Sequence, residues 1–152
     1  MSGSRLSHVD DQGRARMVDV SRKDRLRRTA RAVGRIDLAP ATVALVRANG
    51  LEKGDVLAAA RIAGIMAAKR TSELIPLCHN IEIESVAVEL RLDDGGIGIE
   101  ATAVCTDKTG IEMEALVAVS VAALTVYDMC KAVDGGMLIR DIRLVEKTKE
   151  KV

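Results

Sequence analysis

The stretch IEIESVAVELRLDDGGIGIEATAVC (residues 81–105) decides the fold class of this chain. Between Ile81 and Leu90, apolar and polar residues alternate with period two, a pattern typical of a half-buried strand. Asp93-Asp94-Gly95-Gly96 forms a hairpin turn, and residues 97–105 return as an antiparallel partner. The segment therefore predicts two neighbouring strands of an antiparallel sheet.

Helical patterns lie before and after this hairpin. Pro40 begins a short helix that ends at Asn49-Gly50, and Asp55 caps a second helix whose only charge is Arg61. A third helix is predicted from about Glu112 to Val133, with the uncharged centre ALVAVSVAALTVY.

Two further strands complete the pattern. Residues 29–36 alternate between arginine and small apolar side chains, and we interpret them as an edge strand. The last strand is MLIRDIRLVEK. The order strand, helix, helix, strand, strand, helix, strand predicts an α+β fold, an antiparallel sheet with helices packed on one face.

The length of 152 residues fits one domain, which we place at residues 17–152 after a polar, flexible arm at 1–16. The apolar runs are expected to be too short to span a bilayer, and the amino terminus lacks the apolar stretch that export needs. Three cysteines without CxxC spacing indicate reduced thiols, so a cytoplasmic protein is expected.

The composition limits the ligands that the chain can bind. With one Tyr, no Phe and no Trp, the core must be aliphatic, and a nucleobase would find almost no aromatic face. The net charge of +1 provides no global field for polyanions. The basic segment 22–35 is compatible with a local phosphate site, a nucleic-acid contact or a solvated face. Without aromatic residues the phosphate site is favoured over the nucleic-acid contact, and a solvated face competes with both.

The two longer helices are apolar nearly all round, and a domain of this size cannot easily cover both. We therefore expect a homo-oligomer with helical interfaces. An unusually helix-rich core in a monomer is the alternative.

Five residues at helix ends are candidates for chemistry. Lys53 precedes the second helix, where backbone N–H groups and the helix dipole favour an anion, although an exposed loop lysine has the same pattern. Glu112 and Glu114 open the third helix, as dipole partners would. Asp128 and Lys131 close it at i, i+3, which an ion pair explains, yet a carboxylate is unexpected at a helix C-terminus.

Cys78 and His79 could suggest a metal ligand pair, but adjacent residues chelate one ion awkwardly and only His8 could add a histidine. We expect no metal here, and we interpret Cys105 and Cys130 as small buried side chains.

Long motifs of the chain resemble the MoaC family. They are LSHVD (6–10), MVDVS (17–21), KGDVLAAARIAGIMAAKRTSELIPLCH (53–79) and TGIEMEALVAVSVAALTVYDMCKAV (109–133). The resemblance covers nearly the whole chain. Asn80 departs from it, because the family pattern has proline after the histidine, and this affects the turn beyond His79.

This resemblance implies an activity and an assembly. The substrate would be 3′,8-cyclo-7,8-dihydro-GTP supplied by a radical SAM GTP cyclase, and the products cyclic pyranopterin monophosphate and pyrophosphate, a phosphorus–oxygen lyase reaction in molybdenum cofactor biosynthesis. The fold would be ferredoxin-like, in a homohexamer of three dimers with active sites at a subunit interface. No cofactor is implied, and Mg²⁺ is possible but not indicated by the sequence. Neither nucleic acid nor membrane would be a partner.

The resemblance also assigns residues. Lys53, Asp128 and Lys131 would be catalytic. The substrate would be bound by Leu77, Cys78, His79, Glu112, Met113, Glu114, Asp19, Arg28 and Lys69.

The lysines invite a division of roles. Lys131 beside Asp128 should stay protonated, whereas Lys53, unpaired in sequence, would shuttle a proton. We expect Lys53 and residues 77–79 of one chain to meet Asp128 and Lys131, or the Met113–Glu114 end, of another. A non-catalytic nucleotide-binding oligomer and a nucleic-acid-binding protein are the competing classes.

Overall fold

The computed structural model describes residues 8–152, which form four strands and four helices. In chain order they are β1 Leu26–Asp37, α1 Pro40–Arg47, α2 Val56–Ala68, α3 Thr71–Leu74, β2 Ile83–Asp93, β3 Gly96–Asp107, α4 Glu112–Cys130 and β4 Leu138–Glu150. The strands make one antiparallel sheet in the order β2-β3-β1-β4. This is the α+β, ferredoxin-like architecture expected from the sequence.

The prediction that the arginine-rich strand lies at an edge is wrong. β1 is an internal strand between β3 and β4. Its alternate residues Ala30, Ala32 and Ile36 are buried under the helices. Arg31 lies on the opposite face and pairs with Glu100 of β3 at 3.1 Å and Glu146 of β4 at 3.2 Å. The arginines of β1 thus belong to an ion-paired outer face of the sheet. Period-two alternation alone does not distinguish an internal strand with such a face from an edge strand.

The helices differ from the prediction in two respects. The short α3 was not predicted, because four residues are too few for a periodic pattern. α4 ends at Cys130, three residues earlier than expected, and Lys131 is its C-cap. The following turn is held by the buried Asp134, which accepts hydrogen bonds from Ala39 N–H at 2.8 Å and Gly136 N–H at 3.0 Å.

α2 and α4 pack against each other very closely. A Cβ atom added at Gly64 would lie 2.8 Å from the carbonyl oxygen of Ala118 and 3.4 Å from Cβ of Ala122. Small residues at these positions let the two backbones approach, and α4 fills the space between α2 and the sheet with buried side chains such as Val119 and Val126. The core is therefore built around α4.

The expectation that the apolar runs are too short for a bilayer is not met by α4. At 19 residues and a mean hydropathy of 1.6, Glu112–Cys130 is long and apolar enough to cross a membrane. More than half of its most apolar window is buried inside the protein, as in the core helix of a globular domain.

The described residues leave part of the outer helical surface uncovered. Ile62 and Met66 of α2 and Leu124 of α4 are at least half exposed. Large apolar side chains in this number are typical of an interface.

The predicted arm lies partly outside the described residues. Residues 1–7 are not described, whereas 8–16 form a turn closed by a bridge between Val9 and Ala15, with Arg14 donating to Asp10 at 2.9 Å. The division into arm and domain stays a prediction.

Gly64→Val should destabilise the protein by about 2 kcal/mol or more, because its side chain would overlap the Ala118 carbonyl of the facing backbone. Gly135→Ala is the control, since nothing lies within 4 Å of the added Cβ. Urea unfolding at fixed protein concentration measures both variants. A free energy of unfolding for Gly64→Val equal to that of the parent would mean that α2 and α4 can separate without cost.

Candidate active site

Lys53, Asp128 and Lys131 form one cluster at the C-terminal end of α4. Lys53 Nζ donates to Asp128 Oδ2 at 2.9 Å and to the Asp128 carbonyl oxygen at 2.9 Å. Lys131 Nζ contacts Asp128 Oδ1 at 2.7 Å. The three residues that the resemblance marks as catalytic are thus brought together within a single chain.

Local structure explains how Lys53 reaches this place. Asp55 caps α2 by accepting from Ala58 N–H at 2.9 Å, and Gly54 takes a left-handed φ of 88° that turns the chain just before it. Lys53 then satisfies a carbonyl in the last turn of α4, where a cation also complements the helix dipole. The N-terminus of α2 and the C-terminus of α4 are therefore joined by this lysine.

Asp128 is stable at the C-terminus of α4 because two lysines offset the unfavourable helix dipole. The hydrogen bond from Lys131, followed by the one from Lys53, lowers the pKa of Asp128 to about 2. Asp128 in turn raises the pKa of Lys131. At neutral pH, an ionised carboxylate lies between two ammonium groups, each side chain about half exposed and open to a ligand.

A cavity of about 530 Å³ lies at the other end of α4. The turn after Pro76 forms one wall, and the first turn of α4 forms another. Six residues predicted to bind substrate line it together: Leu77, Cys78, His79, Glu112, Met113 and Glu114. Nε2 of His79 lies 2.7 Å from the carbonyl oxygen of Val18, which ties this wall to the N-terminal segment.

Glu114 is the most perturbed acid in this cavity. Its side chain is only 3% exposed, and Oε2 has no hydrogen-bond partner among the described residues. Burial, together with the nearby charge of Glu112, raises the pKa of Glu114 to about 7. Burial and the charge of Glu114 also raise the pKa of the Cys78 thiol. An unpaired buried carboxyl is a binding group for a donor-bearing ligand.

Three other predicted binding residues do not join either group. Arg28 donates to the carbonyl oxygens of Asp107 at 2.9 Å and Lys108 at 3.2 Å, and it lines an adjoining cavity of about 190 Å³ that also includes Glu112. Asp19 accepts from Ser21 N–H at 2.8 Å, and Lys69 follows the end of α2. Asp19 and Lys69 line neither of these two cavities of the described chain.

The structure changes the setting of Lys53, which is paired with Asp128 although it has no partner nearby in the sequence. Its role as proton shuttle stays a prediction, whereas the expectation that Lys53 meets Asp128 and Lys131 of another chain is wrong. Lys53 also meets Asp128 and Lys131 in its own chain, so these groups need not come from two chains. The sequence could not show this, because the contact between Lys53 and Asp128 spans 75 positions and depends on how α2 and α4 pack.

The structure adds three basic residues to the cavity lining, of which Lys23 belongs to the basic segment 22–35 and His8 and Lys147 were not predicted as site residues. His8, Lys23 and Lys147 line the larger cavity, and Lys147 Nζ donates to Glu112 Oε1 at 3.0 Å. Lys147 lies in a strand with several other charges, so its pattern carried no separate signal. Within residues 8–152, no group of three or more His, Cys, Asp or Glu side chains has the arrangement of a metal site.

Comparison with known proteins identifies relatives along nearly the whole chain. The sequence model of the MoaC family matches residues 17–150. A protein of Streptomyces coelicolor named cyclic pyranopterin monophosphate synthase is 59% identical over 144 residues, covering 95% of this chain and 85% of the relative. Proteins of the same name from Chloroflexus aggregans (58%, covering 97% and 92%) and Parvibaculum lavamentivorans (55%, covering 97% and 94%) are similarly close.

Glu114 should make folding stability fall as pH rises. Its pKa increases from the ordinary 4.5 to about 7 on folding, so between these values the folded state keeps a proton that the unfolded state has released. The contribution of Glu114 to the free energy of unfolding should be fully present below about pH 4.5 and should be lost as pH rises to and through about 7. At about 1.4 kcal/mol per pKa unit, the total decline is up to about 3 kcal/mol.

Glu114→Gln should remove this decline, whereas the exposed Glu82→Gln should keep it. Urea unfolding followed by circular dichroism from pH 5 to 8 measures both. Equal pH dependence in Glu114→Gln and the parent would show that Glu114 is not held neutral by burial.

Proposed function

The chain belongs to the MoaC family, and we propose that it catalyses the reaction in the name of its relatives, the synthesis of cyclic pyranopterin monophosphate. It is thus an enzyme of molybdenum cofactor biosynthesis that acts on a nucleotide-derived substrate. The observation that carries the proposal is the Lys53–Asp128–Lys131 cluster, since both expected catalytic lysines lie within hydrogen-bond distance of the carboxylate of the third expected catalytic residue, Asp128.

In the proposed reaction, 3′,8-cyclo-7,8-dihydro-GTP is rearranged to the pterin, and closure of the cyclic phosphate releases pyrophosphate. This makes the enzyme a phosphorus–oxygen lyase. Closing the cyclic phosphate requires a hydroxyl oxygen to lose its proton and pyrophosphate to leave with its negative charge. The chemistry therefore needs proton carriers and cations at the same place.

The cluster has both properties. Asp128, with its lowered pKa, stays ionised and holds two ammonium groups in fixed positions. Lys131, whose pKa is raised, suits the role of acid or electrostatic partner. Lys53 donates to the same carboxylate, so a proton lost from either lysine can be compensated within one hydrogen-bonded group.

The cavity at the N-terminal end of α4 suits the base. Glu114 provides an unpaired carboxyl oxygen for the N–H groups of a guanine-derived ring. Leu77 and Met113 provide apolar surface, so an aliphatic pocket can hold the ring without an aromatic partner.

One chain does not complete this site. Glu114 and Asp128 are fourteen residues apart on one helix, about 21 Å at the helical rise. A nucleotide cannot contact both ends of α4 in one compact pocket. We therefore propose that the site lies at a subunit interface, where the cluster of one chain faces the cavity of another.

The exposed apolar surface of α2 and α4, with Ile62, Met66 and Leu124, supports such an interface. A homohexamer of three dimers is the assembly that we propose. The remaining proposals are a cytoplasmic location, no required cofactor, and supply of the substrate by a radical SAM GTP cyclase.

Lys53→Ala and Lys131→Ala should each reduce product formation at least about a hundredfold, because each removes one of the two ammonium groups from the Lys53–Asp128–Lys131 cluster. Both side chains are about half exposed, so the fold should persist. The assay supplies the cyclised nucleotide to purified protein and measures cyclic pyranopterin monophosphate and pyrophosphate.

Lys151→Ala serves as the control for loss of one exposed positive charge. Binding without turnover by the parent would favour a non-catalytic nucleotide-binding oligomer. Salt-dependent retention on DNA or RNA would favour the nucleic-acid class. Inactive lysine variants that are also unfolded would remove the support for catalytic roles.

Mixing Lys131→Ala with His79→Ala should restore activity, because one of the two sites in each mixed dimer receives an intact cluster and an intact cavity. Random exchange of equal amounts should recover about a quarter of the parent activity. A mixture of Lys53→Ala with Lys131→Ala should recover none, since both damage the same end of α4. Recovery in the second mixture, or none in the first after verified exchange, would contradict the proposed interface site.

A further inference from the structure

Residues 17–23, which we call the strap, cover one side of the cavity at the N-terminal end of α4. Val18, Val20 and Lys23 line this cavity of about 530 Å³. Val18 and Val20 are half-buried, whereas Asp19 between them is exposed. The strap thus turns apolar side chains toward the cavity and polar ones toward the solvent, as a cover does.

The backbone of this part of the chain is bonded to itself and not to the sheet. Within the described chain, the backbone–backbone hydrogen bonds of residues 8–23 stay inside that stretch, as when Lys23 N–H donates to the Val20 carbonyl oxygen at 3.0 Å. Pairing with the sheet begins only at Leu26, opposite Asp107. The strap can therefore leave the domain without breaking a backbone ladder, which is typical of segments that open locally.

Side chains from two walls of the cavity hold the strap instead. Nε2 of His79, in the turn before β2, lies 2.7 Å from the carbonyl oxygen of Val18. Nζ of Lys108, in the loop between β3 and α4, donates to the carbonyl oxygen of Ser21 at 2.7 Å. The strap is thus fastened at two points by contacts that its own sequence does not supply.

Lys108 is suited to fasten and release the strap. Its backbone is fixed, because its N–H donates to Asp107 Oδ1 at 2.6 Å and its carbonyl oxygen accepts from Arg28 at 3.2 Å. On the strap, Asp19 accepts from Ser21 N–H at 2.8 Å and so forms a turn at the carbonyl that Lys108 binds. A hydrogen bond from an ammonium group is stronger than one between neutral groups, yet a single bond can break and form again.

We propose that Lys108 is a positioning residue that latches the strap over the cavity, and that the strap opens about residues 24–25 to admit and release the ligand. Arg25 donates to the carbonyl oxygen of Thr106 at 2.8 Å and anchors the chain at this hinge. The closed strap excludes water from the bound ligand. That the ligand is the cyclised nucleotide rests on the proposed function, whereas the latch rests on the contacts of Lys108 and the strap.

Limited trypsin digestion of the native protein measures the opening, because Arg22 and Lys23 are cleavage sites within the strap. The rate of cleavage follows the population of the open form. Lys108→Met keeps an apolar side chain of similar length but loses the ammonium group, and should speed cleavage at these sites about fivefold or more. Lys108→Arg keeps a charged donor and should be cleaved like the parent. Lys151→Met, which changes an exposed lysine that lines neither cavity of the described chain, is the matched control.

Urea unfolding and steady-state kinetics distinguish a latch from a general structural role. Lys108→Met should keep the free energy of unfolding of the parent, since the strap opens without the core. It should raise KM for the cyclised nucleotide severalfold and leave kcat within about twofold, because less of the protein is in the closed, binding-competent form. Lys108→Arg should restore the KM of the parent.

Unchanged cleavage at Arg22 and Lys23 in Lys108→Met would overturn the proposal, as would faster cleavage that is matched by an equal loss of global stability. A fall in kcat with KM unchanged would make Lys108 a catalytic residue and would also overturn it. A parent that does not turn over the cyclised nucleotide would contradict the proposed function, and the cleavage rates would still decide this inference.

Discussion

The close contact between α2 and α4 is the constraint on which the rest of the structure depends. Gly64 leaves no room for a side chain against the Ala118 carbonyl, so the two backbones have one separation at which they pack. α4 in turn lies on the sheet and carries most of the core, including fully buried residues such as Val119 and Val126. The position of each end of α4 follows from this packing.

The two ends of α4 hold the two halves of the candidate site, and each end breaks a local preference. Asp128 is placed where the helix dipole favours cations, and two lysines are required to offset it. Glu114 is placed in the favourable first turn but is buried without a partner for Oε2 among the described residues. Departures of this kind concentrate at functional sites, because binding or catalysis needs groups that folding alone would not select.

The charges of the sheet are arranged differently. On the outer face, Arg31 of β1 lies between carboxylates of the two neighbouring strands, Glu100 of β3 at 3.1 Å and Glu146 of β4 at 3.2 Å. These charges are matched within the chain and leave little excess field. At the N-terminal end of α4, by contrast, Lys23, Arg28, Lys147 and Lys149 outnumber the carboxylates that line the same cavities. An overall charge of +1 therefore conceals a local cationic surface.

Much of this protein was determined by the sequence itself. Period-two alternation in residues 81–105 and the Asp55 cap specify elements through local backbone and side-chain preferences, and the motifs identify the family. Only the tertiary structure decided which strand is internal, because pattern shows which residues share a face and not which strands are neighbours. It alone placed Lys53 on Asp128 and Lys147 on Glu112, contacts that span 75 and 35 positions. Such contacts depend on how whole elements pack, and no local preference along the chain encodes them.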